Sequence, residues 1–142
     1  MLKTICMLLL LILPGIAAAH DVPLVDPEPV EVPAGASEAV IAGAIKSGMA
    51  AHRWQVLQEQ PGVIRASVTG GGDVEATVDI GYDNRQIRIR YVSDHNLADL
   101  YTPNYIDSRY IYWTRTLAKN IRAALAGGTG IDHRPAAPET AR

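Results

Sequence analysis

The residue types that could carry chemistry in this chain are few and scattered. Ser93, Asp94 and His95 stand side by side, and a serine, an acid and a histidine are the parts of an acyl-transfer triad. Triad members are assembled in space from separate segments, because three neighbours on one stretch of backbone do not point into one site. The three are therefore read as a turn whose aspartate bonds nearby amides. His52 falls at the end of a helical stripe and His133 near the C-terminus, and no His/Asp/Glu pair has a metal-helix spacing such as H-E-x-x-H. His20 differs. A cleavage after Ala19 would give one residue an α-amine and an imidazole, nitrogen donors that suit Cu(II). A cleavage after Ala17 would give Ala18-Ala19-His20, whose amine, two backbone nitrogens and imidazole suit Cu(II) or Ni(II).

Two further groups could bind rather than catalyse. Arg65, Arg88 and Arg90 fall on one face of an expected sheet, where they could hold an anion such as a glycan or lipid phosphate. Asp79, expected across the strand from Arg88, and nearby Glu75 dilute that patch. Tyr91, Tyr101, Tyr105, Tyr110 and Tyr112, with Trp113, are the aromatic concentration of a chain that has no Phe. They either line a small-molecule cleft, with Tyr101 and Tyr105 on its loop, or close the end of the core with hydroxyls reaching water. Gly70-Gly71-Gly72-Asp73 resembles a phosphate cradle in composition only: no Lys-Ser/Thr follows, and it leads into a strand rather than a helix.

The elements that must position these residues begin after an exported-protein start. Lys3, the apolar run Ile5–Leu13, Pro14-Gly15 and Ala17-Ala18-Ala19 have the order of a secretory signal, so 1–19 is expected to be removed. The run falls short of the roughly 20 apolar residues of a spanning helix. Cys6, the sole cysteine, leaves with the signal, so the mature chain is expected to lack disulfides and thiolate chemistry. The net charge of −2 and pI near 6.0 give no electrostatic footprint for nucleic acid. The expectation is a soluble periplasmic or secreted protein with no transmembrane span in its mature form.

Residues 20–36, with Pro23, Pro27, Pro29 and Pro33 among Asp21, Asp26, Glu28 and Glu31, predict an extended, solvated acidic leader. Ser37 caps a helix whose apolar stripe is Ile41, Ala44, Ile45, Gly48, Met49 and His52. Gly43 and Gly48 weaken it and would allow close packing on a sheet. Trp54–Glu59 and Val63–Thr69 read as strands joined around Pro61-Gly62, with Trp54 and Val56 on one side and Leu57 awkwardly on the other. The clearest pattern is Val74–Val92, where Val74, Ala76, Val78, Ile80 and Tyr82 alternate with polar residues, and Ile87, Ile89 and Tyr91 alternate with Arg88 and Arg90. A turn centred on Asp83-Asn84 would pair Ile80 with Ile87, Val78 with Ile89 and Asp79 with Arg88. Ser93–Ile106 reads as irregular, pinned by Leu97, Leu100, Tyr101, Tyr105 and Ile106. Asp107 or Ser108 then caps a second helix with the stripe Tyr110, Trp113, Leu117, Ile121, Ala124 and Leu125; Arg115, Lys119 and Arg122 lie off it. Residues 128–142 read as a disordered tail.

The whole predicts one α+β domain over 37–127. It would be a two-layer sandwich: a four-stranded antiparallel meander with both helices on one face, in the order α-β-β-β-β-α. His52-Arg53-Trp54-Gln55-Val56, Pro61-Gly62-Val63-Ile64-Arg65-Ala66 and the paired strands ending Ile80-Gly81-Tyr82 and Ile89-Arg90-Tyr91 carry a resemblance. The chain resembles small exported proteins and lipoproteins of Gram-negative bacteria with an RGW-x-V, PG-x-I-x-A and I-x-Y pattern and no assigned activity. It departs from them in having no lipobox cysteine near the cleavage site and no Tyr-Asn before Trp113. The resemblance supplies no catalytic residue. The expected function is non-catalytic binding of an envelope partner or small ligand, through the arginine face or the tyrosine loop. Copper at His20 is the alternative, and no other cofactor is expected.

Overall fold

A computed structural model describes residues 20–128. The expected signal at 1–19, and all but the first residue of the expected tail at 128–142, lie outside them. The elements in chain order are β1 (Asp21–Pro23), β2 (Val30–Glu31), α1 (Glu38–Ala50), β3 (Gln55–Gln60), β4 (Val63–Gly70), β5 (Val74–Tyr82), β6 (Gln86–His95), β7 (Tyr105–Asp107) and α2 (Ser108–Gly128). The fold is α+β, with two helices and antiparallel strands. The sheet departs from the expected four-stranded meander. Its order is β2-β6-β5-β4-β3, five strands, and β1 and β7 form a separate pair.

Of the three strands added, β1 and β2 come from the leader expected to be solvated, and β7 from the end of the segment expected to be irregular. Prolines exclude helix in the leader but tolerate extended edge structure, and Val30 supplies one apolar side chain. Val30 pairs with Ile87 on the sheet edge and is only 1% exposed. Farther along that edge, the Asp26 carboxylate accepts the Tyr91 N–H at 3.1 Å, standing in for a strand partner.

The helices follow their apolar spacing. The Ser37 hydroxyl accepts the Val40 N–H at 3.2 Å, and Ile41, Ala44, Ile45, Gly48 and Met49 are buried. His52 lies beyond the helix end and is exposed. In α2 the buried stripe is Tyr110, Thr114, Leu117, Ala118, Ile121 and Leu125, while Trp113 is half-buried with its ring over Gly70. The Asp107 carboxylate accepts the Arg109 N–H at 2.9 Å and binds the Arg109 guanidinium, which also donates to the Gly71 carbonyl. These Arg109 bonds hold the Asp107 carboxyl below its usual range against the opposing effect of burial. The close approach permitted by Gly48 is to Ile121 of α2, not to the sheet.

Ile64, Ala66, Val68, Val74, Ala76, Val78, Ile80, Ile87 and Ile89 line the inner face of the sheet and form one hydrophobic core with both helical stripes. The β5–β6 faces are as expected, but the register is two residues away: Ile80 opposes Ile89, Tyr82 opposes Ile87, and Asp79 opposes Arg90 rather than Arg88. Two residues are one full side-chain repeat, so the faces survive the shift. The cause is the turn. Asp83 is not at its corner; its carboxylate accepts from Arg85 N at 2.7 Å and Gln86 N at 2.9 Å, leaving Asn84 and Arg85 as corner residues. Those two backbone bonds keep the Asp83 carboxyl below its usual range. Neither Asp83 nor Asn84 takes a positive φ, so the left-handed conformation that suggested the turn is not used.

Three other expectations change. Leu57 is the extra residue of a bulge between Val56 and Gln58, and Val56 is exposed with the rest of β3, so this edge strand buries only its preceding residue, Trp54. The segment expected to be irregular begins as regular strand through His95, bulged at Val92, and ends in β7. Within it Leu97 and Ile106 are buried, whereas Leu100 and Tyr101 are 90% and 92% exposed and pin nothing.

Candidate functional site

Arg65, Arg88 and Arg90 lie on one outer face of the sheet, as expected, but their partners differ. Arg65 Nε and Nη2 each donate to Asp79 at 2.8 Å, a bidentate pair. Bonding to Arg65 holds the Asp79 carboxyl below its ordinary range and raises the guanidinium. Arg65 is thus committed. Arg88 and Arg90 are exposed and line a shallow polar concavity of about 330 Å³ with Asp79 and Asp83. On their other side Asp26 and Glu28 of the leader border a smaller one. Acids flank these cations on both sides, so the face carries mixed charge.

Ser93, Asp94 and His95 alternate along β6 and form no constellation. Asp94 accepts from the Tyr91 hydroxyl, from Leu97 N at 2.9 Å and from Ala98 N at 2.8 Å, closing the turn after β6. Burial opposes its charge, but these donors together lower its carboxyl. His95 Nε2 instead lies 3.3 Å from Asp73 Oδ2 and 3.0 Å from Asn96 Nδ2, exposed at the sheet end. His20 is exposed, and its carbonyl accepts the Ser108 N–H at 3.2 Å. Among the described residues, no three His, Cys, Asp or Glu side chains gather as metal donors.

The tyrosines divide. Tyr91 and Tyr110 meet edge to face at 5.7 Å in the core. Burial, and then the Asp94 carboxylate, push the Tyr91 hydroxyl up to about 12. Burial also raises the Tyr110 hydroxyl, which has no hydrogen-bond partner among the described residues. Tyr101, Tyr105 and Tyr112 face solvent.

A different surface has the form of a binding site. β1 is fixed on β7 with Val22 opposite Ile106 and Pro23 opposite Tyr105. The His20–Ser108 bond and one from Leu24 N to the Asn104 carbonyl at 2.8 Å extend that pairing at either end. This places the leader beside the outer face of α2, and between them lies a groove of about 620 Å³. That volume falls within the roughly 300–1,000 Å³ of small-molecule sites. Val22, Val25, Ile111 and Tyr112 supply apolar lining, and Arg115 and Lys119 supply the charge. Neither cation has an ion pair or side-chain hydrogen bond among the described residues. The sequence signal for this site is the composition of α2: Arg109, Arg115, Lys119 and Arg122, with no acidic residue, in a chain of net charge −2. The other wall could not be read, because nothing local to Val22 or Val25 places them against that helix.

The chain matches no family model, no curated protein and no solved structure with which it was compared. Among the described residues, no helix is long and apolar enough to cross a membrane.

Proposed function

We propose that this chain is an exported, non-catalytic binding domain that takes an anionic ligand with an apolar body in the β1–α2 groove. The observation that carries the reading is the pair Arg115 and Lys119, without an ion pair or side-chain hydrogen bond among the described residues and beside an apolar lining. A hydrophobic lining with a few placed polar groups is the usual composition of a small-ligand site, and the cations select the charge of what enters. Export rests on the signal-like order of residues 1–19 and on the resemblance to small exported proteins of Gram-negative bacteria. The binding surface moves from the arginine face, where Arg65 is committed to Asp79, to the groove.

Calorimetric titration with decyl phosphate, kept below its micelle concentration, tests the reading. Binding is expected, and Arg115→Ser with Lys119→Ser should weaken it by about tenfold or more, since a hydrogen bond to a charged group contributes about 1.5–3 kcal/mol. Decanol should bind the parent as weakly as decyl phosphate binds the double variant. No binding by the parent, or equal binding by the double variant, refutes the site.

A further inference from the structure

We infer that this face seats on an anionic lipid bilayer, with the loop of residues 99–104 entering the lipid interface and the α2 cations meeting the head groups. The inference rests on the groove reading and adds where the ligand resides.

The loop is built rather than loose. The Asp99 carboxylate accepts the Tyr101 N–H at 2.8 Å, and Asp99 N donates to the Tyr105 carbonyl at 3.0 Å. Tyr105 N donates to the Thr102 carbonyl, and Asn104 turns the chain with φ +63°. This frame projects Leu100 and Tyr101, the most exposed large apolar side chains among the described residues. A leucine suits the acyl boundary, and a tyrosine, with an apolar body and polar tip, suits the interface.

The Leu24–Asn104 hydrogen bond joins this loop to the leader segment that lines the groove through Val22 and Val25. Tyr112 continues the exposed apolar surface across to α2. From there Arg115, Lys119 and Arg122 follow at spacings of four and three, which stack on one helical face, and all three are exposed, with no ion pair among the described residues. Apolar tips tied through the leader to a groove edged by a row of cations match the two layers of an anionic membrane surface. An acidic protein would pair with the cations but would leave Leu100 and Tyr101 without a reason for their exposure.

Co-sedimentation with phosphatidylglycerol/phosphatidylcholine vesicles, against phosphatidylcholine alone, tests the inference. Every variant is made in the same full chain, so any contribution of residues 1–19 is common to all. The parent should bind the anionic vesicles at least tenfold more tightly, with binding falling as salt rises to about 0.5 M. Leu100→Ser with Tyr101→Ser should lose tenfold or more on vesicles yet keep the parent's affinity for decyl phosphate. Arg115→Ser, Lys119→Ser and Arg122→Ser together should lose both. Equal binding to the two vesicle types, or an unchanged loop variant, overturns the inference. So does retention by an immobilised polyglutamate with no retention by vesicles. If vesicles fail while decyl phosphate binds, the groove reading stands and the bilayer falls; if both fail, both fall.

Discussion

Replacing Gly48 and Gly43 by alanine, one at a time, separates two effects of a glycine inside a helix. Alanine favours α1 by about 1 kcal/mol over glycine in a helix interior. At Gly43 an added Cβ has no neighbour within 4 Å among the described residues, so Gly43→Ala should stabilise the protein by about 0.5–1 kcal/mol. At Gly48 the same carbon would stand 2.7 Å from Ile121 Cγ1, 2.8 Å from Ile121 N and 3.1 Å from Ile121 Cα. The first clash can be relieved by a side-chain rotation. The other two are with the backbone of α2 and yield only if the helix withdraws. Two carbons attract best at about 3.5–4.0 Å, so the helices must part locally by several tenths of an ångström, next to the fully buried Leu117 and Ile121. Overpacking of this kind costs about 1–3 kcal/mol. With the propensity gain subtracted, Gly48→Ala should destabilise by up to about 2 kcal/mol and lower Tm by up to roughly 10 °C in a domain of this size, and it should fall about 1–3 kcal/mol below Gly43→Ala, which shares the gain without the clash. Urea unfolding followed by far-UV circular dichroism measures both variants. Adding Ile121→Ala should not restore Gly48→Ala, because the clash with the α2 backbone persists. A Gly48→Ala protein as stable as Gly43→Ala would refute the argument that the helices meet backbone to backbone.

Ile80 is fully buried between Ile64 and Ile89, so Ile80→Asp should unfold the domain by burying an unpaired charge, whereas Arg90→Ser should change stability by no more than about 0.5 kcal/mol; a native dichroism spectrum for Ile80→Asp would mean that inside and outside are reversed. Arg53 holds φ +61° just beyond α1, where Trp54 N donates to the Met49 carbonyl at 3.1 Å; Arg53→Gly relieves a left-handed non-glycine residue and should stabilise by about 1 kcal/mol in the same assay. Asp79, Asp83, Asp94 and Asp107 all ionise more readily folded than free, so the unfolded chain binds more protons as acid is added. Their stabilisation is therefore complete above about pH 5, a unit above the unfolded value, and lost as pH falls through the lowered folded values. Urea midpoints against pH should show that fall, and Asp94→Asn should make it shallower.

Both helices and the two faces of the central hairpin were legible in the residues, because each rests on a local period that burial then satisfies. Ser37, Ile41, Ala44 and Ile45 needed no partner to announce a helix, and Tyr110, Leu117 and Ile121 needed none either. The hairpin register was not legible. Asp83 can sit at the corner of a turn or precede it, and the two choices differ by one full repeat, which leaves hydrophobicity indifferent between them. The leader misled for a related reason. Its prolines and acids describe a chain that forms no core of its own, but Val30 needs only an open edge on β6 to become a fifth strand.

The candidate site divides in the same way. Its charge is written in α2, where four cations occur without an acid, and its apolar half is written in Val22 and Val25. Neither segment indicates that it faces the other. The residues by themselves determined which faces are apolar, where the helices begin and how charge is distributed, since these follow from spacing and side-chain chemistry over a few turns. Only the tertiary structure decided that Asp79 engages Arg65, that Leu100 and Tyr101 are left exposed, and that β1 and α2 wall one groove. Those outcomes depend on the meeting of segments far apart in the chain, which no local period records.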